Sequence, residues 1–121
     1  MAEVEKIEMN YSNFTKIRIY KLAIRHINAD IKSGCVFGLC YYIEMAAIEL
    51  EYAVDSDNVS YNLNMKYNFP EIYKSKPTKA KMHSAYNWFP LDINGMEKRI
   101  SILKKVIDKL ETIELQTTGK V

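Results

Sequence analysis

Proline is scarce in this 121-residue chain, and all three copies, Pro70, Pro77 and Pro90, fall between residues 58 and 91. A helix interior rejects proline, so one long helix is excluded there and permitted on both sides. Glycine is also rare, with four copies, so little of the chain is built from flexible linker. There are two cysteines, Cys35 and Cys40. They form neither a CxxC pair nor a Cys/His zinc pattern, and the expectation is two reduced thiols rather than a disulfide. Neither sign of charge is in excess, since the formal net charge is +2. That balance gives no argument for bulk nucleic-acid binding. No stretch approaches the ~20 apolar residues of a membrane span, and the polar start MAEVEKIEMN lacks the apolar segment of a signal peptide. A cytoplasmic protein is expected.

Enzyme signatures are missing too. The sequence contains no P-loop, GxGxxG, GxSxG or HExxH pattern. Its two histidines, His26 and His83, are far apart, and no helix carries a Glu-x-x-His element for a carboxylate metal site. The expectation is a protein without catalysis, metal or cofactor.

What is present is helical periodicity. Phe14, Ile17, Tyr20, Ala23, Ile24, Ile27 and Ile31 recur at spacings of three and four, which places them on one helix face. Ser12 is a good N-cap for that helix, and Ser33-Gly34 a good stop. A second helix is expected from Val36 to Val54, with Val36, Leu39, Cys40, Ile43, Ala47, Leu50 and Val54 as its stripe. Phe37, Tyr41, Ile48 and Tyr52 lie on its other side, and a helix apolar nearly all round is usually central. A last helix should open at Asn94, where Asn94 and Glu97 have capping-box spacing. Its stripe would be Met96, Ile100, Leu103, Ile107 and Leu110, with Val106 and Ile113 beside it. Residues 1–11 and 116–121 read as loose termini. The fold class is all-α: one domain over 1–121, three long helices and a crossover that contains short ones. Pro70 can open one of these through Tyr73, and residues 79–86 can form another.

Charge is segregated along the chain. Residues 10–33 carry Lys16, Arg18, Lys21, Arg25 and Lys32 against Asp30, and residues 34–57 carry only acids. An antiparallel turn at Gly34 would set Arg25 opposite Glu44, Arg18 opposite Glu51 and Lys21 opposite Glu49. Such pairs are worth only ~0.2–1 kcal/mol each when exposed, yet they help to fix register. The crossover holds Lys66, Lys74, Lys76, Lys79 and Lys81 against Glu71 alone. Aromatic rings interleave with these cations, which is the pattern a flat anionic ligand needs.

The candidate ligand site follows from that excess. Tyr86 and Trp88 would stack on a base. Lys79, Lys81 and His83, with Arg99 and the N–H groups of Gly95 and Met96 at the last helix's start, would hold phosphates. Tyr41 or Tyr42 would close the pocket. The structural alternative has Trp88 and Phe89 filling the core and Arg99 paired with an acid of the second helix.

The elements Gly38-Leu39-Cys40-Tyr41-Tyr42-Ile43, Asn87-Trp88-Phe89-Pro90-Leu91 and Arg99-Ile100, followed by Leu103 to Ile107, resemble a group of small bacteriophage proteins. These share an aromatic helix with a GLC-type start, a WFPL-like element and a last helix that opens with arginine. The resemblance spans roughly residues 34–110. It implies a phage gene acting in the host bacterial cytoplasm, with anti-defence sequestration of a nucleotide-like signal as the leading expectation. Inhibitory docking on a host protein, or a structural role in the phage particle, are the alternatives. A homo-oligomer would let a small chain enclose more of a ligand.

Overall fold

The computed structural model describes residues 9–53, 65–75 and 92–118. Among these the chain is all-α, with α1 (Asn13–Ser33), α2 (Leu39–Glu49), α3 (Met65–Asn68), α4 (Pro70–Lys74) and α5 (Ile93–Thr118), and no strand. The expected short helix over 79–86 lies outside the described residues.

Both ends of α1 are set by the residues the sequence offers. Ser12 is the N-cap, and its hydroxyl accepts from the Thr15 N–H at 3.2 Å. Gly34 takes the left-handed conformation at φ 81°. The Cys35 N–H then reaches back to the Asp30 carbonyl at 2.9 Å and the Gly34 N–H to that of Ile31, a Schellman closure. Nothing lies within 4 Å of a Cβ added at Gly34, so glycine is required here by backbone conformation and not by space.

The second helix is shorter than its apolar run suggests. Gly38 is its N-cap and residues 35–38 stay outside the helix, so Val36 and Phe37 belong to the connection rather than to the stripe. At the other end Glu51 adopts φ 63°. The Tyr52 N–H bonds the Ala47 carbonyl at 2.8 Å and the Glu51 N–H that of Ile48 at 2.9 Å. This is the same Schellman closure, made with a residue that carries a Cβ. Val54 is outside the described residues.

Helix α5 begins at Ile93, one residue before the expected start. Asp92 is its cap, not Asn94: the Asp92 Oδ1 accepts from the Gly95 N–H at 2.8 Å and its carbonyl from the Met96 N–H at 2.9 Å. A carboxylate both caps the helix and meets the positive end of its dipole, which the Asn94 amide cannot do. The C-terminal stretch read as loose from residue 116 continues as helix through Thr118. Residues 9–11 are also held. The Asn68 Oδ1 accepts from the Met9 and Asn10 N–H groups, and the Tyr11 hydroxyl donates to the Tyr52 carbonyl at 2.9 Å.

Helix α1, rather than α2, is the hub of the described elements: both α2 and α5 approach it closely, and α4 touches α5. Phe14 of α1 and Leu115 of α5 line one groove at one end, and Ile31 lines a cavity with Asp92 and Ile93 at the other, so α1 and α5 run antiparallel. The core contains Ile17, Ile19, Tyr20, Ala23 and Ile27 of α1, Leu39, Tyr42, Ile43 and Ala46 of α2, Phe69 and Ile72 around α4, and Met96, Leu103 and Leu110 of α5. Phe14, expected in the stripe, is instead exposed.

The crossover is fastened to α1 by a partly buried ion pair. Lys16 Nζ donates to both Glu71 carboxylate oxygens, at 3.0 and 3.2 Å, while the Phe69 ring packs at 5.9 Å from Tyr20 and 5.5 Å from Tyr11. The register of charges between α1 and α2 differs from the expected one. Glu49 receives His26 at 2.8 Å, Lys21 turns to Glu111 of α5 at 2.9 Å, and Arg18 lies over the Tyr52 ring at 5.9 Å. Glu44 is buried and does not meet Arg25.

Two stability outcomes are expected. Gly34→Ala forces an L side chain into the left-handed region and costs about 1–2 kcal/mol, seen as a lower urea midpoint with an unchanged m-value. Glu71→Gln leaves the largely buried Lys16 ammonium with a neutral partner, and costs about 1–3 kcal/mol by the same measurement.

Candidate functional site

The site expected from sequence divides in two. Lys79, Lys81, His83, Tyr86 and Trp88 lie outside the described residues. Tyr41, Tyr42 and Arg99 lie within them, at the corner where α1 ends, α2 begins and α5 starts.

Tyr42 is the hinge pin of that corner. Its hydroxyl donates to the Asp30 carboxylate at 2.7 Å and accepts from the Phe37 N–H at 3.2 Å. One buried side chain thereby ties the last turn of α1 to the segment that leads into α2. Burial and the adjacent carboxylate both push the Tyr42 hydroxyl's pKa far up, so it stays a neutral donor at any physiological pH. Tyr42 is 1% exposed, and Tyr86 and Trp88, expected to form a pocket with it, lie outside the described residues. Tyr41 stays half-buried and stacks on Phe37, centroids 4.5 Å apart, while its ring meets Tyr42 edge-on at 5.3 Å. Phe37 is 43% exposed and Met45 is exposed as well. Tyr41 and Met45 are four apart on α2 and share one side of it, and Phe37, in the connection before the helix, extends that apolar side by stacking on Tyr41.

Arg99 has 0% of its surface exposed. It sits two helical turns after Asp92, on the same side of α5, and Asp92 and Tyr42 are its electrostatic neighbours. Burial lowers its pKa while those two groups work the other way; a guanidinium nevertheless remains charged in a protein. The expected fork onto a ligand phosphate therefore finds no solvent-facing guanidinium. The α5 N-terminus is likewise filled from within the chain by the Asp92 carboxylate, so the expected anion seat at Gly95 and Met96 is taken.

A cavity of about 540 Å³ opens beside this corner, lined by Ile31, Gly34, Cys35, Val36, Asp92, Ile93 and Asn94. Its walls are mostly apolar and its one ionisable oxygen acid is Asp92. Such a lining suits an apolar or cationic group and disfavours an anion. Cys35 is exposed there and Cys40 is buried, and the two are not joined. Among the described residues no cluster of His, Cys, Asp or Glu could hold a metal ion, and no helix is long and apolar enough to cross a membrane.

Sequence reasoning missed Glu44, which is 2% exposed with no hydrogen-bond partner for Oε2. Desolvation raises its pKa from 4.5 to about 8. The signal was its phase: Glu44 falls in step with the buried Cys40 and Ala47, three and four residues away. Arg99 carries the same signal, between Met96 and Leu103.

Comparison with family models, with curated proteins and with solved structures finds no match to this chain.

Glu44 generates a pH prediction. The unfolded chain releases this proton near pH 4.5 and the folded chain holds it to about pH 8. Between those values the folded state binds the extra proton, so stability falls as pH rises, by up to about 1.4 kcal/mol per unit. Glu44→Gln keeps the shape without the titration. Denaturation midpoints measured from pH 5 to 8 should flatten in that variant relative to the wild type.

Proposed function

We propose that this chain is a phage-type binding protein that works without catalysis, by docking on a host protein in the bacterial cytoplasm. The observation that carries this reading is the division of the corner. Its arginine faces inward, with Arg99 buried, and the α5 N-terminus is occupied by the carboxylate of the exposed Asp92. Its rings face outward, with Phe37 stacked on Tyr41 beside an exposed Met45. Aromatic and methionine side chains are favoured anchors in protein interfaces. The neighbouring cavity offers room for an apolar or basic side chain of the partner against Ile31, Val36 and Asp92. Sequestration of a nucleotide-like anion rests instead on Lys79, Lys81, His83, Tyr86 and Trp88, and the described half of that site contributes no exposed cation to it.

Two measurements on the same preparation separate these readings. Tagged wild-type chain should retain a host protein stoichiometrically from bacterial lysate, and Phe37→Asp, a change at an exposed position, should release it. A thermal-melting panel of mononucleotides, cyclic dinucleotides and ADP-ribose derivatives should leave the midpoint unmoved. A compound that stabilises the chain by about 2.7 kcal/mol at a hundredfold its dissociation constant, with no protein retained, would reverse the assignment.

A further inference from the structure

A second surface, remote from the α2 corner, has a different character. Where the start of α1 crosses the end of α5, a groove of about 430 Å³ is lined by Phe14, Ile17, Arg18, Lys21, Glu111, Glu114 and Leu115. Phe14 is 63% exposed and Leu115 71%. These are the two most exposed large hydrophobic residues described, and they face each other across one groove. The basic residues of the rim come from α1 and the acidic ones from α5. Lys21 and Glu111, 2.9 Å apart, mark level positions on the two helices.

We propose that this groove is the face on which two copies of the chain associate. The argument is charge complementarity under two-fold symmetry. A two-fold axis lying in the interface, parallel to the groove, places α1 of each copy over α5 of the other and preserves position along the groove. Phe14 then meets the second copy's Leu115. Arg18 and Lys21 meet its Glu111 and Glu114. Each apolar contact and each charge contact occurs twice, and no like charges are opposed. A partner with a single sign of charge would be repelled by one rim, whereas a second copy satisfies both. The groove is small beside the ~800 Å² per partner of a standard interface, so the dimer is weak and dependent on concentration.

The test is sedimentation velocity from micromolar to ~1 mM protein. The wild-type mass should rise from 14.1 kDa towards twice that value. Phe14→Asp and Leu115→Asp, both at exposed positions, should each weaken association at least tenfold, with helix content by circular dichroism unchanged. Lys21→Glu and Glu111→Lys should each weaken it about two- to fivefold alone, and an equimolar mixture of the two should recover it. A wild type that stays monomeric throughout overturns the proposal. So does a dimer indifferent to Phe14→Asp and Leu115→Asp, and a mixture of the charge variants that associates no better than either alone refutes the two-fold pairing. Retention of a host protein through Phe37 is a separate readout, so either reading can fail without the other.

Discussion

A guanidinium with no exposed surface constrains everything around it. Arg99 cannot shed its charge, and a buried cation is tolerated only where the chain itself supplies compensation. Here Asp92 supplies part of it, Tyr42 lies nearby as a neutral hydroxyl, and both are fixed by other duties. Asp92 caps α5, and Tyr42 bridges Asp30 and the Phe37 backbone. Tyr42 thereby joins the end of α1 to the start of α2, and Asp92 fixes the start of α5. The positive charge of Arg99 is part of the framework. Phe37 and Met45 are left exposed beside it, and the inward turn of the guanidinium moves the functional reading from anion capture to protein docking.

The three other buried polar or charged residues among those described are handled in different ways. Lys16 is neutralised by Glu71 and fastens the crossover to α1. Glu44 has no partner for one oxygen and stays protonated through neutral pH. Asn68 uses its carbonyl oxygen to bind two backbone N–H groups of the segment entering α1. A core of this size has few apolar alternatives to α1's inner face, so each polar intrusion has a specific structural answer. Exceptions are the buried Tyr20 hydroxyl and Glu44 Oε2, which have no hydrogen-bond partner, and the cost of Glu44 grows with pH and is removable by an isosteric amide.

Much of the fold was legible because its punctuation is local. Ser12, Gly34 and Pro70 act through their own backbone and side-chain chemistry, and the elements they bound lie where the spacing puts them. The length of α2 was not legible, because apolar residues continue through Val36 and Phe37 although Gly38 starts the helix. Its end depends on Glu51 in a left-handed conformation that no residue preference announces. Asp92 and Asn94 are both valid caps, and the choice between them rests on the helix dipole. The site was misread for a different reason. Arg99 is expected on a ligand, and Glu44 and Lys16 in the charged stripes of α2 and α1, yet each falls in phase with buried neighbours. Arg99 belongs to the series Met96, Leu103, Val106 and Leu110, and Lys16 to Tyr20, Ala23 and Ile27. A polar residue at a core position of a helical repeat is a better signal of burial than its charge is of exposure.

The inward-facing state of Arg99 can be read directly. The chain has three arginines, and Arg18 and Arg25 are exposed where Arg99 is not. Phenylglyoxal labelling of the native protein, followed by peptide mass spectrometry, compares them in one sample. Arg18 and Arg25 should react readily while Arg99 stays unmodified until denaturant is added. Labelling of Arg99 at the same rate as the other two would mean that the guanidinium opens to solvent, and would return the corner to a role in binding anions.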